Sequence, residues 1–435
     1  MRKLILISAL LFSLTNSFCQ VLEQKIVTTD IQNFWKAYDK IVTTRDSTLQ
    51  YKYLNQFYIN KRSRGLKKIM TLKNYTPKKY IDAINQYPLF WQSIRQNTNN
   101  VEQKIPDIEL AINKLKTFYP ELKKVPIYFT IGVFRTNGTA KGKDLLIGSE
   151  MALTDSKINY SELPENLHFY YSNFTKSFET IDLLCTHEYI HTLQKEIVEN
   201  LLCASIYEGV AEFISTKILG KPSNSPAIEF GKQNKEKVKS KFEEDMFNPN
   251  KINNWLWGQN RNALKERDLG YYIGYSICEI NYEMAENKNK AIKEMIELDY
   301  NNDKQISTFA DRTKFFSDSL KNLESKYEKS RPMIISISQF ENGSQSVNPN
   351  LKQITLNFST SMNKETRGFD FGPLGEKVIL MVKKVIGFSE DGKSFTYEVE
   401  LKPNKRYQAM VTNRFIGTNG IPLKPFVIDV KTAVN

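Results

Sequence analysis

Hydrophobic residues recur at helical spacing through the first part of the chain. Phe34, Ala37, Tyr38 and Ile41 share one face of a 3.6-residue period. Residues 79–95 repeat the pattern, and Pro106 and Pro120 bracket a helix over residues 107–119. The pattern then changes. Residues 125–134 (VPIYFTIGVF) are rich in β-branched and aromatic side chains and read as a strand. A glycine-containing loop over residues 136–143 leads to a second strand over residues 144–153 (DLLIGSEMAL). Helical periodicity returns over residues 177–199 and 205–219, the latter closed by Gly220 and Pro222. Further helix is expected over residues 229–245, 267–297 and 305–327.

Beyond Arg331 the period becomes two. Ile354, Leu356 and Phe358 alternate with polar neighbours, as do Phe395, Tyr397, Val399 and Leu401, and then Tyr407, Ala409 and Val411. Asn342-Gly343, Asp391-Gly392 and Asn419-Gly420 supply the turns between them. Several short strands in about 100 residues predict a β-sandwich, with a boundary near residues 330–332. The expected fold class is therefore α+β and multidomain, a mostly helical part with a small β-sheet followed by an all-β sandwich. The expected domains are 1–19, 20–330 (helical part 20–124, core 125–298) and 332–435. A length of 435 residues fits two or three domains of roughly 100–200 residues each.

Residues 1–19 are set apart by composition. Arg2 and Lys3 precede an uncharged stretch over residues 4–14, and Ser17 and Cys19 place small residues at −3 and −1 before Gln20. This is the pattern of a secretory signal peptide, too short for a comfortable membrane span of about 20 residues. An exported protein is expected: periplasmic, cell-surface or secreted. Phe18 before Cys19 is bulky for a lipoprotein site. After cleavage Cys185, Cys203 and Cys278 remain, an odd number that leaves at least one thiol outside any internal bridge; a Cys185–Cys203 bridge is chemically allowed.

Charge adds little to this picture. Lys+Arg number 61 against 48 Asp+Glu, a formal net charge of +13. The lysines are dispersed, and clusters such as Lys61-Arg62 and Lys67-Lys68 never extend into a long basic run. A solvated surface is the reading, with no nucleic-acid partner expected and no transmembrane segment.

The chemistry is concentrated at His187-Glu188-Tyr189-Ile190-His191, an H-E-x-x-H motif inside a helical pattern. Residues four apart share a helix face, so both imidazoles can hold one Zn2+ ion. Glu188, offset by about 100° around the helix, can act as general base toward a zinc-activated water. A third ligand is needed. His168, the only other histidine, lies upstream. Downstream, Glu208 and Glu212 are four apart, and one can bind the metal while the other holds a ligand imidazole. Ser205-x-x-Glu208 also matches a helix capping box, which would leave Glu212 as the ligand. Residues 270–275 (GYYIGY) offer Tyr272 and Tyr275 as oxyanion donors; the alternative is an aromatic helix whose glycines permit close packing.

HEYIH followed by EGVAEF resembles the gluzincin peptidases, in which a glutamate on the next helix completes the HExxH site. That resemblance implies Glu208 as third ligand and Glu212 as support for a histidine. It also implies that residues 144–153 are the edge strand lining the substrate cleft. The order HEYxH, EGxAE-like and YYxGY-like is similar to that of a predicted zinc-dependent protease family of the peptidase MA kind, over residues 125–298. The resemblance implies a zincin-like fold for this part. Residues 348–366 with 401–407 (LKPNKRY) resemble bacterial immunoglobulin-like domains over about 332–432, with no catalytic implication. The expected function is thus a secreted zinc metallopeptidase acting on a peptide or protein substrate. The competing readings are an exported adhesion or binding protein with an inactive peptidase-like domain, and a peptidase restricted to one protein partner.

Overall fold

Amphipathic helices and one small sheet build the first unit. The computed structural model describes residues 25–195, 200–257 and 263–434; segment 1–19, expected from its composition to be a signal peptide cleaved after Cys19, lies outside them. The described chain divides into two units. One gathers residues up to 197 with 206–232 and 271–305, and the other gathers 198–205, 233–270 and 306–435. No described helix is long and apolar enough to cross a membrane.

In the first unit, helices Thr29–Ile41, Ser47–Phe57 and Arg64–Lys73 precede Pro77–Gln86, Pro88–Asn99 and Ile105–Phe118. Phe34, Ala37, Tyr38 and Ile41 are buried, as their spacing requires. Phe34 packs against Trp35, Tyr58 and Trp91, with ring centroids 5.0–5.4 Å apart. The helical pattern over residues 79–95 is in fact two helices. Pro88 lacks an N–H and pushes Tyr87 out of the helical region (φ −127°, ψ 52°), so the second helix starts on the proline.

The sheet contains strands β1 (Ile26–Val27), β2 (Ile127–Thr130), β3 (Gly138–Lys141) and β4 (Asp144–Gly148), in the order β1-β2-β4-β3. β2 runs parallel to β1 and β4, and β3 is antiparallel to β4. Three expectations change here. The loop over residues 136–143 contains β3, and β3, not the 144–153 segment, is the edge strand. That segment is a strand only as far as Gly148, after which Ser149–Ala152 forms a helical turn. All five residues of β4 are buried, as suits an interior strand.

The helical turn is recruited by Glu150. Its buried carboxylate accepts hydrogen bonds from the Gly132 and Phe134 N–H groups (2.8 and 3.1 Å). The bond to Phe134 accompanies a left-handed φ of +57° at that residue. Burial raises the Glu150 carboxyl to about 7, with those same hydrogen bonds opposing the shift. A folded-state value above the ordinary 4.5 means the native state holds the proton longer than the unfolded chain. Stability is therefore expected to fall as pH rises from about 4.5 to about 7, by up to about 3 kcal/mol. Thermal midpoints of wild type and Glu150→Gln across that window check this: the difference between them should carry the slope, and parallel curves would exclude Glu150 as its source.

The second unit contains helices Lys235–Asp245 and Leu320–Ser330 and most of the strands. Trp255 is fully buried against Phe242 and donates to Asp245 (3.1 Å). Strands β5 (Ile334–Ile337), β6 (Gln353–Phe358), β7 (Phe369–Asp370), β8 (Lys384–Phe388), β9 (Ser394–Glu398), β10 (Arg406–Val411) and β11 (Phe426–Lys431) form two sheets. Their orders are β5-β6-β9-β8 and β11-β10-β7, all antiparallel. Ile354, Leu356 and Phe358 of one sheet and Tyr407, Ala409 and Val411 of the other enter one hydrophobic core, so the period of two marks the inward faces.

Candidate metal centre

The helix Ile181–His191 is buried on nearly every side, from Ile181 through Ile190. Tyr189 anchors it: its hydroxyl donates to the Lys123 carbonyl (2.6 Å) and accepts from the Val125 N–H (3.0 Å). One turn of helix brings His187 and His191 together, with their Nε2 atoms 3.1 Å apart. Glu208, on the helix Leu201–Leu219, reaches both: its Oε2 is 3.4 Å from His187 Nε2 and 3.2 Å from His191 Nε2.

Three lone-pair donors thus converge on one point, and groups so arranged need a shared proton or cation. The edges of this triangle suit zinc. Bonds of about 2.0–2.1 Å in a tetrahedron put neighbouring donors about 3.3 Å apart. Three donors also leave the fourth position of such a tetrahedron open. His187, His191 and Glu208 form the one cluster of three potential metal-binding side chains found among the described residues.

The outer nitrogens are held as well. His187 Nδ1 lies 3.0 Å from Glu212 Oε2, and the other Glu212 oxygen accepts from the Ser223 hydroxyl. His191 Nδ1 lies 2.6 Å from the Gln194 side-chain oxygen. Gln194 in turn donates to the Tyr207 carbonyl (2.9 Å) and the Tyr300 hydroxyl (2.8 Å). Such bonds fix the ring orientation and tautomer of a ligating histidine. The Tyr207 ring lies parallel to His191 at 4.5 Å, and Tyr271 lies nearly parallel to His187 at 6.2 Å.

The electrostatics follow from this packing. Burial disfavours a charged His187, but its hydrogen bonds to Glu208 and Glu212, together with the attraction of the Glu212 and Glu188 charges, outweigh that and raise it to about 10. Burial works against ionised Glu208, yet His191 and His187 hold its carboxyl well below the usual range. Glu188 is raised, because its burial outweighs the opposing pull of His191 and His187. A raised carboxyl is a better proton acceptor near neutral pH.

Several sequence expectations resolve here. Ser205 is not a helix cap. The helix begins at Leu201, and the Ser205 hydroxyl is buried inside it without a hydrogen-bond partner among the described residues. Glu208 therefore lies beyond the third helical position, free of a capping role. His168 sits elsewhere, with Nε2 2.8 Å from the Leu163 carbonyl. Tyr272 packs over Gly231 and Tyr275 against Phe213. Gly274 meets the backbone of Gly209 so closely that a Cβ on Gly209 would lie 2.1 Å from it. The glycines of that segment thus serve close helix packing, and the tyrosine beside the centre is Tyr271. Cys185, Cys203 and Cys278 are buried, and no disulfide joins them to one another.

Sequence reading missed Gly138. It lies on the edge strand β3, where a built Cβ would stand 2.8 Å from Glu188 Cγ and 2.9 Å from its Oε1. The absent side chain is the space the Glu188 carboxylate occupies. Gly138→Ala is expected to retain the fold and the metal, since only a flexible side chain must move. Displacing that carboxylate should lower turnover by about 10²-fold. Zinc content, thermal midpoint and kcat measured together test this; unchanged kcat would show that the carboxylate position is not critical.

Residues 91–304 match the model of a family described as "Predicted Zn-dependent protease (DUF2268)". The match supports a zinc protease family for that part of the chain. No curated protein matches the chain closely enough to count as a relative. Among solved structures, "Structure of surface layer protein SbsC, domains 1-6" is 11% identical over 61% of this chain and 41% of that one, with a TM-score of 0.18. "Crystal structure of the S-layer protein rSbsC(31-844)" is 11% identical over 94% and 45%, with a TM-score of 0.19. The chain spans less than half the length of either, and scores this low carry no argument about its fold.

Proposed function

We propose that this protein is an exported zinc metallopeptidase of the gluzincin type, with a zincin-like catalytic part and an immunoglobulin-like β-sandwich at its C-terminal end. The observation that carries the reading is the convergence of His187, His191 and Glu208 at 3.1–3.4 Å, with Glu188 on the same helix beside Gly138. The match to a predicted zinc-dependent protease family supports it independently.

His187, His191 and Glu208 would hold the ion, with Glu212 and Gln194 orienting the two imidazoles. Zinc supplies, when bound, polarisation of a carbonyl oxygen and a more acidic water. Glu188 takes the proton from the attacking water and returns it to the leaving amine. Gly138 leaves that carboxylate its place. As the edge strand of the sheet, β3 offers backbone groups against which an extended peptide can pair. Tyr271 takes over from Tyr272 and Tyr275 as the candidate donor to the developing oxyanion, because it is the tyrosine of that segment stacked on a ligand ring.

The test is hydrolysis of a peptide library by the mature protein during zinc titration. Cleavage should rise with about one equivalent of bound zinc and vanish with chelation. Chelation-resistant cleavage, or no zinc uptake, would defeat the proposal. Zinc uptake without cleavage would favour the binding-protein reading.

A further inference from the structure

Among the described residues, two cations close in the fold to Glu188 form no ion pair. Lys73 closes the helix Arg64–Lys73 and is half-buried. Asn74 follows in a left-handed turn (φ +53°), and Tyr75 then packs on Gly132, where a Cβ would come within 2.6 Å of the tyrosine ring. Glu150 pins Gly132 and Phe134 through their N–H groups. Arg135 follows at once, exposed, three residues before the Gly138 that lies against Glu188. Segments 73–75 and 132–138 thus meet at Tyr75 and Gly132, and the second reaches the general base at Gly138.

Neither Lys73 nor Arg135 makes an ion pair or a side-chain hydrogen bond among the described residues. Two partly sheltered lysines of the same unit do: Lys68 pairs with Asp144 at 2.5 Å and Lys221 with Asp182 at 2.5 Å. A half-buried ammonium without a partner costs stability. Burial lowers the pKa of Lys73, with attraction to Glu188 opposing and repulsion from Arg135 adding to the shift. The Tyr75–Gly132 and Gly138–Glu188 contacts put the three charged residues in one neighbourhood. A point-charge amine and a planar guanidinium together suit a carboxylate.

We propose that Lys73 and Arg135 receive a carboxylate of the substrate near the scissile bond, so that the enzyme prefers peptides carrying one there. This rests on the metallopeptidase reading above. The carboxylate is an Asp or Glu side chain or a free C-terminus, and the experiment separates these sources.

Zinc-loaded full-length mature protein is given matched peptides with Glu or Gln at each position around the cleaved bond, each with a free or an amidated C-terminus. The expected result is a preference in kcat/KM of roughly tenfold or more for the acidic member. The preference should shrink several-fold in Lys73→Met and in Arg135→Gln, and be largely kept in Lys73→Arg and Arg135→Lys. Dependence on the Glu side chain identifies an internal acidic residue; dependence on the free terminus identifies a terminal carboxylate. Wild-type cleavage with no acidic preference overturns the inference alone, as does a preference that survives in both neutral variants. Failure of wild type to cleave any peptide overturns the metallopeptidase reading and this inference with it. If Lys73→Met does not fold, exposed Arg135→Gln decides the matter alone, with its zinc content and melting as controls.

Discussion

Glu188→Gln is expected to leave a protein that binds zinc and no longer turns over. The substitution keeps the shape of the side chain beside Gly138 and removes its ability to accept a proton. General-base contributions of this kind are worth about 10²–10⁴ in rate. Glu188 is not one of the three converging donors, so its loss should not reduce metal content. Measured together, kcat/KM should fall by about that factor while bound zinc stays near one equivalent. Full activity in the variant would remove Glu188 from the mechanism, and loss of zinc would make it a ligand. Gly138→Ala should resemble a milder form of the same lesion, because it moves the carboxylate without neutralising it.

Glu208→Ala is expected to abolish tight zinc binding, whereas Glu212→Ala only weakens it. Glu208 Oε2 faces both inner imidazole nitrogens (3.2 and 3.4 Å), while of the imidazole nitrogens Glu212 reaches the outer one of His187 (3.0 Å). Partners of that outer kind typically change affinity by about 10–100-fold, and removing a charged ligand should exceed that. Melting provides a readout independent of activity. A metal that binds only the folded state stabilises it by about 4 kcal/mol at a thousandfold excess over Kd. The zinc-dependent rise in melting temperature should therefore disappear in Glu208→Ala and persist, at higher zinc, in Glu212→Ala. Equal and intact zinc binding in both variants would refute the assignment.

Local patterns carried much of this into view. The 3.6-residue spacing of Phe34, Ala37, Tyr38 and Ile41 reports a face that must be buried, and the alternation at Ile354, Leu356 and Phe358 reports another. Both are set by the pitch of the backbone itself. Proline acts just as locally, and the break at Tyr87 and Pro88 could have been read in advance. The loop around Gly138 could not. Its residues have weak strand preference, and β3 exists because β4 supplies its hydrogen-bond partners. Hydrophobicity extended β4 too far in the same region, since Glu150 turns the chain after Gly148 to reach two N–H groups distant in sequence.

By itself the sequence determined that His187 and His191 share a helix face, that Glu188 stands beside them, and that Glu208 and Glu212 are one turn apart. These follow from helix geometry within single elements. Tertiary structure decided which glutamate faces the inner nitrogens, which tyrosine stacks on His187, and that Gly138 makes room for Glu188. It also brought Lys73 and Arg135 to the same neighbourhood. Each of these depends on how separate elements pack, and periodicity along one element carries no information about the side chains that a distant segment brings against it.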